Sequence, residues 1–106
     1  MKTITYHKLV RNRIPEIIEK DGKQCTYSFL SDEDYIRLLD QKLNEELNEY
    51  QESKSMEELA DLLEVIYAVA LARGSSIEEV EQIRIKKAEK RGGFDKRILL
   101  ENVVED

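Results

Sequence analysis

The feature that most constrains the fold is a stretch at residues 59–72, LADLLEVIYAVALA, that is apolar around its whole circumference apart from two acids. Asp61 and Glu64 are its only charged residues. A helix that is apolar on every side is normally buried by surrounding protein. The stretch therefore predicts a buried helix, and it raises the question of why such a helix carries two carboxylates.

The composition limits the classes of protein to which the chain can belong. Its 106 residues are expected to form one domain, and 41% apolar with 38% charged residues is typical of a helix-rich globular protein. A net charge of -6 disfavours binding to nucleic acid or to an anionic membrane. The N-terminus lacks an apolar signal core, so a cytoplasmic location without a membrane partner is expected. Cys25 is the only cysteine, which excludes an intrachain disulfide.

Three longer helices are predicted from N-capping residues and from the spacing of apolar side chains. Ser55 followed three residues later by Glu58 has the form of a capping box. Glycine ends the second and third helices, at Gly74 and at Gly92-Gly93. The predicted helices and their N-caps are 31–52 (Ser31), 55–74 (Ser55) and 75–92 (Ser75 or Ser76).

The two ends of the chain complete the predicted fold. Residues 8–20, KLVRNRIPEIIEK, indicate a short helix with Pro15 in its first turn. Residues 24–30, QCTYSFL, alternate like a short strand whose partner would be residues 97–104. The expected fold class is all-α: a helical hairpin plus a third helix, completed by dimerisation into a four-helix-bundle core, with minor peripheral β or extended segments.

Carboxylates fall on the packing faces of the predicted hairpin. At 100° per residue, Glu46 lies inside the apolar stripe of its helix, Glu49 lies on the margin and Glu45 is further round. On the next helix Glu58 and Asp61 share one face. Burying ionised carboxylates costs several kcal/mol each unless cations compensate.

A bound divalent cation would provide that compensation. Residues 45–64 contain a single base, Lys54, so ion pairs within this segment cannot balance its acids. Oxygen ligands without thiolates, in a chain whose only histidine is His7, favour Mg²⁺ or Mn²⁺ over Zn²⁺ or a ferritin-like di-iron site. A solvated acidic face is the alternative. Glu64, about 60° round the helix from Asp61, is left open as a ligand, a supporting acceptor or a partner for a basic residue across a subunit interface.

Basic residues follow the acids along the chain. Residues 84–97, RIKKAEKRGGFDKR, contain seven Lys and Arg, and Lys87 and Arg91 share a helical face. Together with a metal-carboxylate site, such residues would bind a polyphosphate, although the run alone also fits a solvated basic face. The KLVRNR segment near the N-terminus adds three bases. Because no Walker-type P-loop is present, we expect phosphate to be bound by metal and side chains.

The acidic pattern Glu45-Glu46-x-x-Glu49, eight residues, Glu58-x-x-Asp61 resembles the signature of the MazG-like, all-α nucleoside triphosphate pyrophosphohydrolases. Their superfamily includes dimeric dUTPases and phosphoribosyl-ATP pyrophosphohydrolase. The segments KLVRNRIPEII and KKAEKRGGFDKRILL are similar to the opening and close of a small single-domain branch. The resemblance thus covers nearly the whole chain, and it implies that residues 1–106 form one MazG-like domain.

The resemblance implies a site and a reaction. It implies a Mg²⁺ site, with Mn²⁺ as the alternative ion, and an acidic residue beside the ligands that either supports them or orients and deprotonates water. The implied metal ligands are Glu46, Glu49, Glu58 and Asp61, the implied catalytic residue beside them is Glu45, and the candidate phosphate ligands are Lys87 and Arg91. The implied reaction is hydrolysis of nucleoside triphosphates between the α- and β-phosphates, releasing nucleoside monophosphate and pyrophosphate, with nucleotide-pool cleaning as the expected role.

The resemblance also implies a homodimer or a dimer of dimers, with the site near the subunit interface. Two other functions remain as alternatives at this point. One is a phosphoribosyl-ATP pyrophosphohydrolase on the same scaffold, and the other is a non-catalytic helical interaction module whose acids form a docking face.

Overall fold

The computed structural model describes residues 2–105, and it contains four helices in that range. These are α1 (Ile14–Lys20), α2 (Asp32–Ser53), α3 (Met56–Ala72) and α4 (Ile77–Arg91). No strand occurs in residues 2–105, so the all-α prediction is confirmed. Within the same residues, no helix combines the length and the apolar character that crossing a bilayer requires.

The three long helices begin at the predicted serines. In each, the serine hydroxyl accepts a hydrogen bond from the backbone N–H three residues later, which satisfies a donor that the helix itself leaves unpaired. Of the two serines considered for α4, Ser76 is the one that caps it. The bonds are Asp34 N to Ser31 Oγ at 3.2 Å, Glu58 N to Ser55 Oγ at 3.2 Å and Glu79 N to Ser76 Oγ at 3.1 Å.

Helices α2 and α3 form a tight hairpin. Lys54, in a left-handed conformation with φ 56°, ends α2, and Ser55 immediately caps α3. At the open end of the hairpin, Arg73 Nη2 lies 2.7 Å from Asp40 Oδ2 and joins the end of α3 to α2. A turn this short brings the C-terminal half of α2 against the N-terminal half of α3. The acids of both helices are therefore placed side by side.

The fourth helix leaves the hairpin after a glycine turn. Gly74, at φ +83°, follows α3, and α4 then contacts α3 without contacting α2. The chain measures 70 × 31 × 25 Å with a radius of gyration of 19.1 Å, whereas a compact chain of about 100 residues has a radius near 13 Å. Among residues 2–105, the buried apolar residues are Leu39, Val65 and Ala70, and each keeps 5–9% of its surface exposed.

The prediction that α3 is buried is wrong for a single chain. Its apolar side chains away from α2 remain 38–73% exposed, because α2 covers one side of α3 and α4 covers little of the other. These exposed side chains, which we call the open face of α3, are Met56, Leu59, Leu63, Tyr67 and Leu71.

Two predictions for the ends of the chain are corrected. Helix α1 begins at Ile14 rather than at residue 8, with Pro15 at its second position, because proline is accommodated only in a first turn. The expected strand pair, 24–30 with 97–104, does not form. In the described residues neither segment makes a ladder of backbone hydrogen bonds with the other, and residues 97–104 are exposed throughout.

Candidate metal centre

Three of the predicted metal ligands meet where α2 and α3 pack together. Glu46 comes from α2, and Glu58 and Asp61 come from the first turns of α3. One carboxylate oxygen from each lies within 4.8 Å of those of the other two. We call these three residues the acidic cluster. The turn at Lys54 and Ser55 creates it by folding the two helices back on each other.

Two oxygen atoms of the acidic cluster are buried without a hydrogen-bond partner. They are Oε2 of Glu46, a residue only 6% exposed, and Oε2 of Glu58. In a complete capping box the Glu58 carboxylate would accept from Ser55 N, but that N–H donates to Ser53 Oγ instead at 3.2 Å. Only the serine half of the predicted box forms, and the Glu58 side chain is left to the acidic cluster.

The burial of Glu46 changes its proton affinity. Desolvation raises the pKa of the Glu46 carboxyl above its ordinary value of 4.5, and the neighbouring Glu49 carboxyl raises it further. Lys42 opposes both effects, since its Nζ lies 3.3 Å from Glu46 Oε1. The net shift is upward. One lysine on one side of the carboxyl therefore does not compensate its burial.

Glu45 and Glu49 border the acidic cluster but do not belong to it. Glu45 is half-exposed, and its Oε1 lies 3.5 Å from Lys42 Nζ. Glu49 is exposed, and its carboxyl acts on Glu46 by helping to raise the pKa of that residue. The roles predicted for them, water activation for Glu45 and metal ligation for Glu49, stay predictions.

Asp61 is held from outside the hairpin. Arg11 Nη2 lies 2.7 Å from Asp61 Oδ1, and Arg11 Nη1 lies 3.8 Å from Glu64 Oε1. Of the three roles left open for Glu64, the structure shows an ion-pair partner, and the partner comes from the same chain. Asp61 remains 44% exposed at its side chain, so it faces the solvent-accessible side of the acidic cluster.

The sequence analysis missed Lys42, because the bases set against the acids were counted only within residues 45–64, and it counted Arg11 among the bases of the KLVRNR segment without its pairing to Asp61. Lys42 could have been found, since it precedes Glu46 by four positions and such pairs meet on a helix surface. Arg11 is 50 residues from Asp61 in sequence, and no local pattern connects them. The two cations reduce the predicted charge imbalance without removing it.

Lys87 and Arg91 lie apart from the acidic cluster in the single chain. Both are exposed on α4, and neither forms an ion pair with an acid among residues 2–105. Arg91 instead lines a surface hollow with Lys96 and Arg97, and no acid of the cluster lines it. Their predicted role as phosphate ligands stays a prediction.

The donor set fits a hard divalent cation. All three side chains of the acidic cluster offer oxygen, which Mg²⁺ and Mn²⁺ prefer, and neither thiolate nor imidazole takes part. The two buried, unpartnered oxygens are acceptors that a cation would satisfy, and their lack of partners otherwise costs free energy. The residues present therefore match the ion that the acidic pattern implies.

Comparison with known proteins gives little beyond this geometry. No protein-family model matches the chain, and no solved structure matches it. An uncharacterized protein of Mycolicibacterium smegmatis is 48% identical over 42 residues, which is 40% of this chain and 43% of that protein. The matched segment spans less than half of either protein.

Proposed function

We propose that the chain is a MazG-like nucleoside triphosphate pyrophosphohydrolase that depends on Mg²⁺ and cleaves between the α- and β-phosphates. The observation that carries the proposal is the acidic cluster with its two buried, unpartnered oxygens. A carboxylate group built into a helix interface at this free-energy cost is expected to have a ligand. A divalent cation is the ligand that best fits carboxylate oxygens, and a bound cation would in turn attract a polyphosphate.

Each residue around the cluster has a proposed task. Glu46, Glu58 and Asp61 hold the ion, and Glu49 joins them on the exposed side. When bound, the ion neutralises phosphate oxygens and lowers the pKa of water. Glu45, half-exposed and tethered by Lys42, orients the attacking water and accepts its proton. Lys42 contacts both Glu45 and Glu46 and so reduces the repulsion between their charges.

We also propose that a second copy of the chain covers the open face of α3. A core of Leu39, Val65 and Ala70 is small for 106 residues, and the shape is far from compact. Helices that expose an apolar face of this length normally bury it against another helix. Pairing two hairpins would give the four-helix core, as a dimer or a dimer of dimers, and would exclude water from the acidic cluster. Lys87 and Arg91 are proposed to hold the phosphate tail in that assembly.

Turnover of a substrate panel tests the reaction class. The purified protein would be incubated with Mg²⁺ and canonical, modified or damaged nucleoside triphosphates, with phosphoribosyl-ATP included, while pyrophosphate and monophosphate are measured. We expect pyrophosphate from at least one triphosphate and none after EDTA. Glu58→Gln should abolish it, whereas Glu57→Gln, which removes an exposed charge from the same turn of α3, should retain it.

Other outcomes of the panel separate the competing functions. Release of inorganic phosphate instead of pyrophosphate would contradict the proposed bond cleavage. Turnover confined to phosphoribosyl-ATP would assign the other enzyme of the same scaffold. Absence of turnover, together with no stabilisation by Mg²⁺, would favour a helical interaction module.

A further inference from the structure

Arg11 occupies an unusual position among the arginines of the chain. Among residues 2–105, Arg13, Arg37 and Arg84 each pair with an acid three positions away. Arg73 pairs with Asp40 within the hairpin. Arg11 instead reaches 50 positions along the chain to Asp61, a member of the acidic cluster, at 2.7 Å. Its guanidinium therefore lies beside a proposed metal ligand.

The backbone around Arg11 is ordered by the start of α1. Ile14 N donates to Arg11 O at 3.1 Å, which closes the turn that leads into the helix. Helix α1 makes no helix-to-helix contact in the described part of the chain. Among the hydrogen bonds and ion pairs of residues 2–105, those from Arg11 to Asp61 and Glu64 are the ones that join the N-terminal segment to the hairpin. Arg11 is thus placed at the acidic cluster by its own contact rather than by the packing of α1.

A purely structural tether explains this position poorly. The Arg11 and Asp61 side chains are 57% and 44% exposed, and ion pairs as exposed as this contribute little to stability. A guanidinium carries five N–H donors in a planar fork, and one short bond to Asp61 leaves most of them directed at solvent. The exposed side of the acidic cluster consequently offers unused hydrogen-bond donors.

The charge around the cluster requires such donors if an anion is to bind. Six carboxylates lie in contact with one another or with shared cations, and the cations are Lys42 and Arg11. Lys42 is only 19% exposed at its side chain and is already shared between two acids. Arg11 also contacts two acids, but its side chain is 57% exposed and its five donors exceed what those two contacts use. The six acids are Glu45, Glu46, Glu49, Glu58, Asp61 and Glu64.

We propose that Arg11 contacts phosphate oxygens of the bound substrate after a divalent cation has replaced its guanidinium on Asp61. Asp61 holds the guanidinium beside the site in the ion-free chain. Released from Asp61, the guanidinium would turn its fork to the polyphosphate, for which its geometry is suited. This inference rests on the proposed function, because it needs both the cation and the phosphate.

Binding measurements on Arg11→Gln test the exchange, with Arg13→Gln as the matched control. Arg13 lies two positions away, carries the same charge and pairs with Glu16. Mn²⁺ affinity would be measured by electron paramagnetic resonance without phosphate, and inorganic tripolyphosphate affinity by calorimetry in excess Mg²⁺. Tripolyphosphate is chosen because contact with phosphate does not depend on the base.

We expect Arg11→Gln to bind Mn²⁺ at least as tightly as the natural chain, because a competitor for Asp61 is removed. We expect its tripolyphosphate affinity to fall about tenfold, as for loss of one charge-assisted contact, with partial recovery in Arg11→Lys. Arg13→Gln should change both affinities by less than about twofold. In turnover of a nucleoside triphosphate, Arg11→Gln should raise KM more than it lowers kcat.

Three results would overturn the inference, and they can be told apart. Unchanged tripolyphosphate affinity in Arg11→Gln, with Mn²⁺ still bound, would exclude the phosphate contact and leave the proposed function standing. Loss of Mn²⁺ binding in Arg11→Gln would show that the arginine only supports the shape of the site. Failure of the natural chain itself to bind Mn²⁺ would overturn the proposed function and this inference together.

Discussion

Lys42 Nζ lies 3.3 Å from Glu46 Oε1, whereas the other carboxylate oxygen of Glu46 is buried without a hydrogen-bond partner. Lys42 pairs with one oxygen of this carboxyl within α2, and the carboxyl also lies beside the acids of α3. A cation bound between the helices would neutralise the negative charge that Lys42 leaves uncompensated. The position of the unpartnered oxygen therefore links the packing of the hairpin to its proposed function.

The raised pKa of Glu46 predicts a specific dependence of stability on pH in the metal-free protein. The folded state holds the Glu46 proton more tightly than the unfolded state, because burial disfavours the charge. The stability that this provides is fully present below the ordinary pKa of 4.5 and is lost as pH rises through the raised value. Glu46→Gln removes the titrating group. In EDTA at pH 7.5 the variant should be more stable than the natural chain by about 1 kcal/mol.

Urea unfolding at pH 4.5 and pH 7.5 measures this difference. The advantage of Glu46→Gln should be smaller at the lower pH, and Glu52→Gln, which changes an exposed acid of the same helix, should show neither effect. In Mg²⁺ the order should reverse, because the variant lacks a ligand. A variant less stable than the natural chain at pH 7.5 in EDTA would contradict the inferred cost of burying Glu46.

The open face of α3 predicts that the chain associates with itself. Leu63 is 47% exposed on that face, and Leu63→Lys would place a charge where a second hairpin packs. We expect light scattering after size-exclusion chromatography to show a dimer or tetramer for the natural chain and a smaller species for the variant. Leu30→Lys, at a similarly exposed leucine outside the hairpin, should retain the larger mass. A monomeric natural chain at micromolar concentration would rule out this use of the face.

Alanine substitution is predicted to cost more at Gly74, between α3 and α4, than at Gly93, after α4. Gly74 has φ +83° and open space around it, so Gly74→Ala meets no atom but must adopt a strained left-handed backbone. We expect this change to cost about 1 kcal/mol in the free energy of unfolding. Gly93→Ala adds a Cβ that meets Asp95 Oδ1 at an ordinary 3.6 Å and should change stability by less than about 0.5 kcal/mol. Equal costs at both sites, measured by urea unfolding, would show that the left-handed backbone is not what matters.

Much of the helical hairpin could be predicted from sequence because its determinants are local. Ser31, Ser55 and Ser76 each cap the helix that follows, and apolar spacing places Glu46 on the packing face where the structure finds it. Glu58 and Asp61 share a face because they are three positions apart. The meeting of α2 with α3 then follows from the short turn.

Features that depend on contacts between distant segments could not be predicted. The pairing of Arg11 with Asp61 crosses 50 positions, and the exposure of α3 depends on how α4 leaves the hairpin. Predicting this pairing and this exposure would require the packing of the helices, which the periodicity of the sequence does not specify. The alternation at residues 24–30 suggested a strand, but a strand needs a partner, and residues 97–104 do not pair with it.

The most direct test of the central claim is whether the acidic cluster binds a divalent cation. Melting temperatures would be measured with EDTA and with increasing Mg²⁺ for the natural chain, Glu58→Gln and Glu57→Gln, and the number of bound Mn²⁺ ions would be counted in parallel. We expect saturating Mg²⁺ to stabilise the natural chain and Glu57→Gln by about 2–3 kcal/mol at a hundredfold excess over Kd. Glu58→Gln should show little stabilisation and weak Mn²⁺ binding. Equal responses of the two variants, or no response from the natural chain, would contradict a metal centre at Glu46, Glu58 and Asp61.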